Sequence, residues 1–86
     1  MTKLFFTIDA QQEFLALDKG ERLFIQKKLN KIARWEWFKL KVLTDMEPYT
    51  HRLRVWDYRL LVRACVDGYE VGKIGHRSTI YKLKKS

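Results

Sequence analysis

The spacing of apolar residues changes once along this chain, and that change limits the folds that the chain can adopt. From Glu21 to about Trp37 apolar residues recur at the spacing of a helix with one buried face. That stripe consists of Ile25, Leu29, Ile32 and Ala33. After Thr50 apolar and polar residues alternate instead, as they do in half-buried strands. A helical half followed by a β half predicts an α+β fold.

The N-terminal part of the sequence carries the signals of one strand and two helix starts. Residues from Lys3 to Ile8 are rich in β-branched and aromatic types and predict a first strand. Asp9 with Gln12, and Asp18 with Glu21, have the spacing of a capping box. We therefore expect a short helix after Asp9 and a longer helix along the apolar stripe, packed together as a two-helix hairpin.

The β half of the sequence predicts three strands that form an antiparallel meander. Their expected bounds are His51–Val55, Tyr58–Val66 and Tyr69–His76. Asp67-Gly68 is a strong signal for a two-residue hairpin turn, because both residue types tolerate positive φ. That turn predicts three opposed pairs: Arg63 with Gly72, Leu61 with Ile74, and Arg59 with His76.

The other predicted turn, Trp56-Asp57, is less regular because tryptophan is a poor residue at positive φ. A simple two-residue turn or a β-bulge fits the sequence, and the simple turn places Arg54 opposite Arg59. With the N-terminal strand added, we expect one sheet packed on the two helices. The length of 86 residues is that of one small domain, so the expected domain spans residues 1–86.

Alternation divides the predicted strands into an apolar face and a cationic face. The apolar face, which we expect to form the core, comprises Leu53, Val55, Tyr58, Leu60, Val62, Ala64 and Val66. The cationic face comprises Arg52, Arg54, Arg59, Arg63 and His76. Like charges directly opposed across a sheet are destabilising. A small protein that collects them on one open face is expected to bind an anion there.

The overall charge indicates the same kind of ligand. The formal net charge is +8, and no acidic residue follows Glu70. A strongly basic protein attracts polyanions and speeds their encounter, so nucleic acid or an acidic protein is the expected partner. The alternative is a basic tail that serves only solubility.

Other features argue against a metal, a cofactor or a membrane location. Cys65 is the only cysteine, so it cannot form an internal disulfide, and with only His51 and His76 beside it the chain has too few ligands for a zinc site. Thr7 and Asp9 interrupt the apolar N-terminal stretch, which is too short for a signal peptide or a membrane span. We expect a cytoplasmic protein that uses no metal and no cofactor.

A phosphodiester is the anion whose demands match the cationic face. Arginine binds phosphate oxygens with a planar fork, and its charge can stabilise a pentacovalent transition state. The candidates for this role are Arg52, Arg54, Arg59 and Arg77. The alternative is that some of them form ordinary surface ion pairs with Glu70, Asp57 or Asp45. Lys73 and Lys82 are further candidates for contacts with a nucleic-acid backbone.

Three other residues are candidates for chemistry or stacking. His76 can exchange protons near neutral pH and can act as a general acid or base, or it can be a hydrogen-bonded structural residue. Tyr81 is the second candidate for proton transfer, and its alternative role is to anchor the last segment. Trp56 can offer a ring for base stacking or simply pack at its turn.

Two runs of the sequence resemble the RelE branch of the RelE/ParE toxin superfamily. They are residues 52–61 (RLRVWDYRLL) and residues 71–81 (VGKIGHRSTIY). The order of the predicted strand and helices before them also agrees with that fold, so the resemblance spans nearly the whole chain. Trp56 is a departure, since relatives commonly have glycine there, and it bears on the hairpin geometry and on the placement of Arg54.

The resemblance implies an activity, a mechanism and partners. Members of this branch are metal-independent endoribonucleases that act on messenger RNA in the ribosomal A site. In that family the ribose 2′-hydroxyl attacks the adjacent phosphate and leaves a cyclic phosphate and a free 5′-hydroxyl. A cognate antitoxin holds such toxins inactive by wrapping them with an extended, partly helical segment.

Carried over by motif, the resemblance implies roles for particular residues. Arg59 and Arg77 match the arginines that bind the phosphate and stabilise the transition state. Arg52 matches a basic residue that contacts the RNA backbone, and Tyr81 matches a tyrosine that stacks or transfers a proton. His76 stands where many relatives also have histidine.

Two other functions fit the same sequence. A ParE-like protein of the same fold inhibits DNA gyrase and cuts no RNA, although the Gly75-His76-Arg77 run and Tyr81 favour the ribonuclease. A non-catalytic RNA- or ribosome-binding module would need the cations but no proton transfer. A degenerate toxin that retains only antitoxin binding is a variant of the main interpretation.

Overall fold

The computed structural model describes residues 2–81, which form an α+β fold with one five-stranded mixed sheet. The strands are β1 (Lys3–Phe6), β2 (Lys41–Val42), β3 (His51–Val55), β4 (Tyr58–Cys65) and β5 (Gly68–His76). The helices are α1 (Ile8–Leu15) and α2 (Lys19–Lys31), and α2 continues into a π-helical turn (Ile32–Glu36) and a 3-10 turn (Trp37–Lys39). The predicted α+β class is therefore confirmed, while the short strand β2 was not predicted.

The strand order in the sheet is β1-β5-β4-β3-β2. Strands β2 to β5 pair antiparallel, and β1 joins the edge of β5 in parallel. The helices connect β1 to the rest of the sheet, which is the kind of crossover that parallel strands require. None of the helices within residues 2–81 is long and apolar enough to cross a membrane.

Both helix starts depend on side-chain caps. α1 begins at Ile8, and the Thr7 hydroxyl oxygen accepts a hydrogen bond of 3.0 Å from the backbone N–H of Ala10. The predicted start at Asp9 was therefore wrong, and β1 ends at Phe6 because Thr7 turns into the cap. For α2 the predicted pair is confirmed, since the backbone N–H of Asp18 donates to the Glu21 carboxylate at 3.2 Å.

The core lies between the helices and one face of the sheet. Its buried members are Ala10, Ile25, Leu29, Ile32, Leu40, Leu53, Val55, Leu60, Val62, Val71 and Ile74. The predicted stripe of α2 is confirmed for Ile25, Leu29 and Ile32, while Ala33 is only partly buried. Two residues predicted in the core are exposed: Ala64 near the end of β4, and Val66, which lies in the following turn.

The predicted register of β4 and β5 was wrong, because the turn lies one residue earlier. Its central residues are Val66 and Asp67, and Cys65 pairs with Gly68. Gly68 is needed in the strand rather than in the turn, since it pairs with Lys3 of β1 and a Cβ atom there would collide with the Lys3 carbonyl.

A β-bulge shifts the register again within β5. Val62 pairs with Val71 but Leu61 pairs with Lys73, which leaves Gly72 as an extra residue. Val71 and Ile74 are three positions apart, so in a regular strand they would point to opposite faces. The bulge lets both of them face the helices. The observed pairs are Arg63 with Glu70, Leu61 with Lys73, Arg59 with Gly75, and Tyr58 with His76. All three predicted pairs are thereby corrected.

The turn at Trp56-Asp57 is the simple two-residue turn. Val55 pairs with Tyr58, and Arg54 lies opposite Arg59 as that alternative predicts. Trp56 has φ 62°, the left-handed region that glycine occupies without strain.

The face of the sheet away from the helices is partly covered. The Tyr49 ring lies against Gly72, where an added Cβ atom would be 2.7 Å from the ring, and Ile80 lies against Gly75, where the distance would be 3.4 Å. Leu61, which points to this face, is almost fully buried. The cationic face is therefore not the uniformly open surface that strict alternation predicts.

Candidate functional site

One open depression contains the four residues predicted to carry chemistry. It has a volume of ≈ 470 Å³ and is lined by Arg59, His76, Arg77, Ser78 and Tyr81. Arg59 is the second residue of β4 after the Trp56-Asp57 turn, and β5 ends at His76, so the two strands bring both residues to the same end of the sheet. Ile80, packed on Gly75, fixes the segment that carries Tyr81.

Arg59 is the buried cation of this depression, with only 8% of its surface exposed. Its Nη1 donates hydrogen bonds to the carbonyl oxygens of Trp56 (2.8 Å) and Tyr58 (2.9 Å). These two bonds use the hydrogens of Nη1, and neither Nε nor Nη2 bonds to any of residues 2–81. The edge formed by Nε and Nη2 is the one with which a guanidinium can bind two oxygens of a phosphate.

Arg77 lies on the exposed side of the depression. Its backbone N–H donates to the Asp57 carbonyl at 2.8 Å, which ties the end of β5 to the turn between β3 and β4. The side-chain contact with Asp57 is longer, since Arg77 Nε lies 3.5 Å from Oδ1, and both side chains are more than half exposed. Such a pair holds an arginine weakly and can be exchanged for a phosphate.

Ser78 fixes one ring nitrogen of His76. The backbone N–H of Ser78 donates to Nδ1 at 3.1 Å, and the Ser78 hydroxyl lies 2.7 Å from the same atom. Because a backbone N–H can only donate, Nδ1 is an acceptor in this arrangement, and a neutral ring carries its proton on Nε2. His76 therefore presents an N–H at Nε2.

Trp56 lies next to this site and packs against α2. Its ring centroid is 5.1 Å from that of Phe24, yet 67% of Trp56 remains exposed.

The Tyr58 hydroxyl donates to a Glu21 carboxylate oxygen at 2.8 Å. That hydrogen bond, followed by burial and the negative charge of Glu21, raises the pKa of Tyr58 above its ordinary value.

The remaining predicted contact residues lie elsewhere or are paired. Arg52 and Arg54 line a second depression, described below. Lys73 forms an ion pair of 3.0 Å with Glu13 of α1, and the other oxygen of this carboxylate accepts the Ile74 backbone N–H. Lys82 lies outside the described residues.

Two members of the predicted cationic face do not belong to one open arginine surface. Arg63 forms an ion pair of 2.9 Å with Glu70, directly across β4 and β5. His76 lies opposite Tyr58 instead of Arg59, because the β4–β5 register differs from the predicted one. The ring centroids of His76 and Tyr58 are 6.0 Å apart. His76 reaches the depression only because it ends β5. Within residues 2–81, no three His, Cys, Asp or Glu side chains gather as a metal site requires.

A known structure has the same fold. It is a chain of the crystal structure of the RelB-RelE antitoxin-toxin complex from Methanococcus jannaschii, with a TM-score of 0.58 over 92% of this chain and 96% of that chain. The fold is shared. At 19% sequence identity the likeness extends no further than the fold. No family model matches the sequence, and no curated protein does so either.

Sequence reasoning missed Ser78 and the role of Asp57. Ser78 follows His76 by two positions, a spacing at which hydroxyl side chains commonly bond to nearby groups in turns, and this signal was present in the sequence. Asp57 was considered only as one of several ion-pair partners. Its backbone contact with Arg77 depends on where β5 ends, which the sequence does not specify.

Proposed function

We propose that this protein is the toxin of a toxin–antitoxin pair, a single RelE-like domain that cleaves messenger RNA in the ribosomal A site. Three observations support the proposal. The sequence runs 52–61 and 71–81 resemble the RelE branch, the fold is that of a chain from a RelB-RelE complex, and the depression at Arg59 has the donors that a phosphodiester requires.

The way in which the Arg59 guanidinium is held is the observation that carries the proposal. Two backbone carbonyls hold it by Nη1, Nε and Nη2 have no partner among residues 2–81, and Arg59 lines the same depression as Arg77 and His76. A guanidinium fixed in this way needs no reorganisation when negative charge develops on the phosphate, which is the condition for efficient transition-state stabilisation. A purely structural arginine would be expected to have its remaining donors satisfied.

The reaction proposed is attack of a ribose 2′-oxygen on the adjacent phosphorus. The new P–O2′ bond forms while the bond to the 5′-oxygen breaks, giving a 2′,3′-cyclic phosphate and a free 5′-hydroxyl. Arg59 and Arg77 bind the non-bridging oxygens and stabilise their added charge. The proton of the 2′-hydroxyl ends on the departing 5′-oxygen. The Nε2–H of the neutral His76 ring donates a hydrogen bond to that oxygen as its negative charge develops, because Nδ1 is occupied by Ser78.

Tyr81 has the two roles that the resemblance implies, proton transfer at the 2′-hydroxyl or stacking on a base. Phenylalanine at this position separates them, since its ring can stack but cannot exchange a proton. We expect Tyr81→Phe to abolish cleavage if the tyrosine transfers a proton, and to leave most of it if the ring stacks.

The partner proposed is a cognate antitoxin protein that covers the site and keeps the toxin inactive. The Methanococcus jannaschii structure is itself an antitoxin-toxin complex. The formal net charge of +8 is suited to an acidic partner as well as to RNA.

Primer extension on messenger RNA bound to purified ribosomes tests the proposed activity. The wild-type protein should produce cuts only when the ribosome is present, and Arg77→Ala should abolish them while RNA remains bound. Intact message together with inhibited DNA gyrase would identify a ParE-like activity instead. Intact message with undiminished ribosome binding would identify a non-catalytic module.

A further inference from the structure

A second group of cations lies beside β2 and β3. We call it the β2–β3 basic cluster; its members are Lys28, Lys39, Lys41, Arg52 and Arg54, which together line a depression of ≈ 270 Å³. Only Arg52 and Arg54 were predicted from the sequence to contact RNA. The three lysines come from α2, the 3-10 turn and β2, so the fold gathers them from separate elements.

The sheet opposes like charges at two places, one within this cluster and one between the cluster and Arg59. Lys41 lies directly across from Arg52, and Arg54 lies directly across from Arg59. Like charges in directly opposed positions destabilise a sheet. Among residues 2–81, no carboxylate lies within ion-pair distance of Lys41, Arg52 or Arg54. The charge that would balance these pairs is therefore expected from a ligand.

One buried carboxylate contacts two lysines of the cluster. Glu36 is buried, and its Oε1 lies 3.5 Å from Lys28 Nζ and 3.3 Å from Lys39 Nζ. Burial raises the pKa of Glu36, but the hydrogen bond and charge of Lys39, and then those of Lys28, outweigh that effect and lower it. Glu36 thus stays ionised and positions two ammonium groups, while one negative charge leaves most of the cluster uncompensated.

We infer that the β2–β3 basic cluster is a second phosphate site, which binds the backbone of the same RNA strand away from the phosphate that is cut. The inference extends the proposed function and rests on it for the identity of the strand. Arg54 connects the two sites, because it belongs to the cluster and lies directly opposite Arg59. Lys39 and Lys41 line the same depression as Arg54, so an RNA strand that leaves the Arg59 depression along this arginine pair can contact them.

Exposed aromatic rings favour RNA over an acidic polypeptide as the ligand. Trp37 and Phe38 directly precede Lys39, and they are 57% and 53% exposed. Proteins that bind single-stranded nucleic acid combine a cationic groove with aromatic rings on which bases stack. A site for an acidic peptide needs the cations but not the rings.

The salt dependence of RNA binding tests this inference. The probe is a fluorescently labelled 12-nucleotide RNA with 2′-O-methyl groups throughout, which cannot be cleaved by 2′-oxygen attack, and binding is followed by fluorescence anisotropy. For a single strand each phosphate contact contributes about 0.7 to the slope of log K against log salt concentration. The double variant Lys39→Ala, Lys41→Ala should therefore lower that slope by about 1.4.

The matched control is the double variant Lys3→Ala, Lys19→Ala, which removes the same charge from exposed positions on β1 and α2. It should leave the slope unchanged. Because Lys39 also contacts Glu36, Lys41→Ala alone provides a variant that breaks no ion pair of the described residues, with an expected decrease of about 0.7. Equal slopes for cluster and control variants would overturn the inference.

The outcomes separate this inference from the proposed function. A chain that cuts no message but shows the difference in slope keeps the second site and loses the nuclease. A chain that cuts message with equal slopes keeps the nuclease and loses the second site. If the cluster variants bind RNA normally but bind a polyglutamate peptide less tightly, the site belongs to an acidic protein and the inference is wrong.

Discussion

The backbone N–H of Ser78 donates a hydrogen bond of 3.1 Å to Nδ1 of His76. This contact decides which nitrogen of the ring can act on a substrate. With Nδ1 occupied, Nε2 is the atom that carries a proton, and His76 becomes a candidate hydrogen-bond donor to the leaving oxygen rather than the base that takes the proton of the 2′-hydroxyl.

We expect His76→Ala to slow cleavage by about 10²–10³-fold, because the 5′-oxygen then leaves without the hydrogen bond from Nε2. A substrate with sulfur in place of the bridging 5′-oxygen has a leaving group that needs neither a proton nor a hydrogen bond, and it should restore the rate of this variant. Single-turnover rates on both substrates measure the effect. Arg59→Lys serves as the control, since a variant that has lost charge stabilisation should not be restored. Failure of the sulfur substrate to restore His76→Ala would remove His76 as the donor.

Cleavage is predicted to require the planar guanidinium of Arg59 and not only its positive charge, which a lysine would keep. Lysine cannot hold two carbonyls and also bind two phosphate oxygens, so Arg59→Lys should lower the cleavage rate by about 10²–10³-fold. The same variant leaves the carbonyls of Trp56 and Tyr58 without their buried donor and should destabilise the fold by about 1–3 kcal/mol. Arg63→Lys is the matched control, because its pair with Glu70 is on the surface. Equal cleavage by the two variants would contradict the assignment of Arg59.

The positive φ of Trp56 gives a prediction about stability. Trp56→Gly and Trp56→Ala lose the same contact with Phe24, but only alanine keeps a Cβ atom at φ 62°. The glycine variant should therefore be more stable than the alanine variant by about 1 kcal/mol. Urea unfolding with unchanged m-values measures the difference. An alanine variant as stable as the glycine variant would show that the turn relaxes to another conformation.

The hydrogen bond from Tyr58 to Glu21 is predicted to make stability depend on pH at the alkaline end. Because the folded protein raises the pKa of Tyr58, the protonated phenol is favoured by folding. The hydrogen bond contributes its full stability below the tyrosine pKa in the unfolded chain, about 10. This stability is lost as pH rises through the higher pKa of Tyr58 in the folded protein. Tyr58→Phe should be less stable than wild type by about 1 kcal/mol at pH 8. That gap should close above pH 10, and a gap that is constant with pH would contradict the account.

How far the sequence predicted the fold depended on whether a feature was local. The apolar stripe of α2 and the cap at Asp18 follow from residues close in the chain, and both were predicted correctly. The β4–β5 register was not, because Gly68 is required by its contact with Lys3, more than sixty positions away, and because the Gly72 bulge adds a residue. Neither contact has a local signal.

The candidate site shows the same division. The motif runs predicted Arg59, His76, Arg77 and Tyr81, and all four line one depression. The pairing of Lys73 with Glu13 and the cluster at Lys39 and Lys41 depend on how α1 and β2 pack, which alternation along single strands cannot reveal.

The chemistry of the cut ends tests the central claim most directly. Messenger RNA cut on the ribosome by the purified protein should give an upstream fragment that ends in a 2′,3′-cyclic phosphate and a downstream fragment that begins with a 5′-hydroxyl, both measurable by mass spectrometry. A single 2′-O-methyl group at the cut nucleotide should abolish the reaction. Ends that carry a 5′-phosphate and a 3′-hydroxyl, or a cut that persists in the methylated message, would contradict attack by the 2′-oxygen at the Arg59 site.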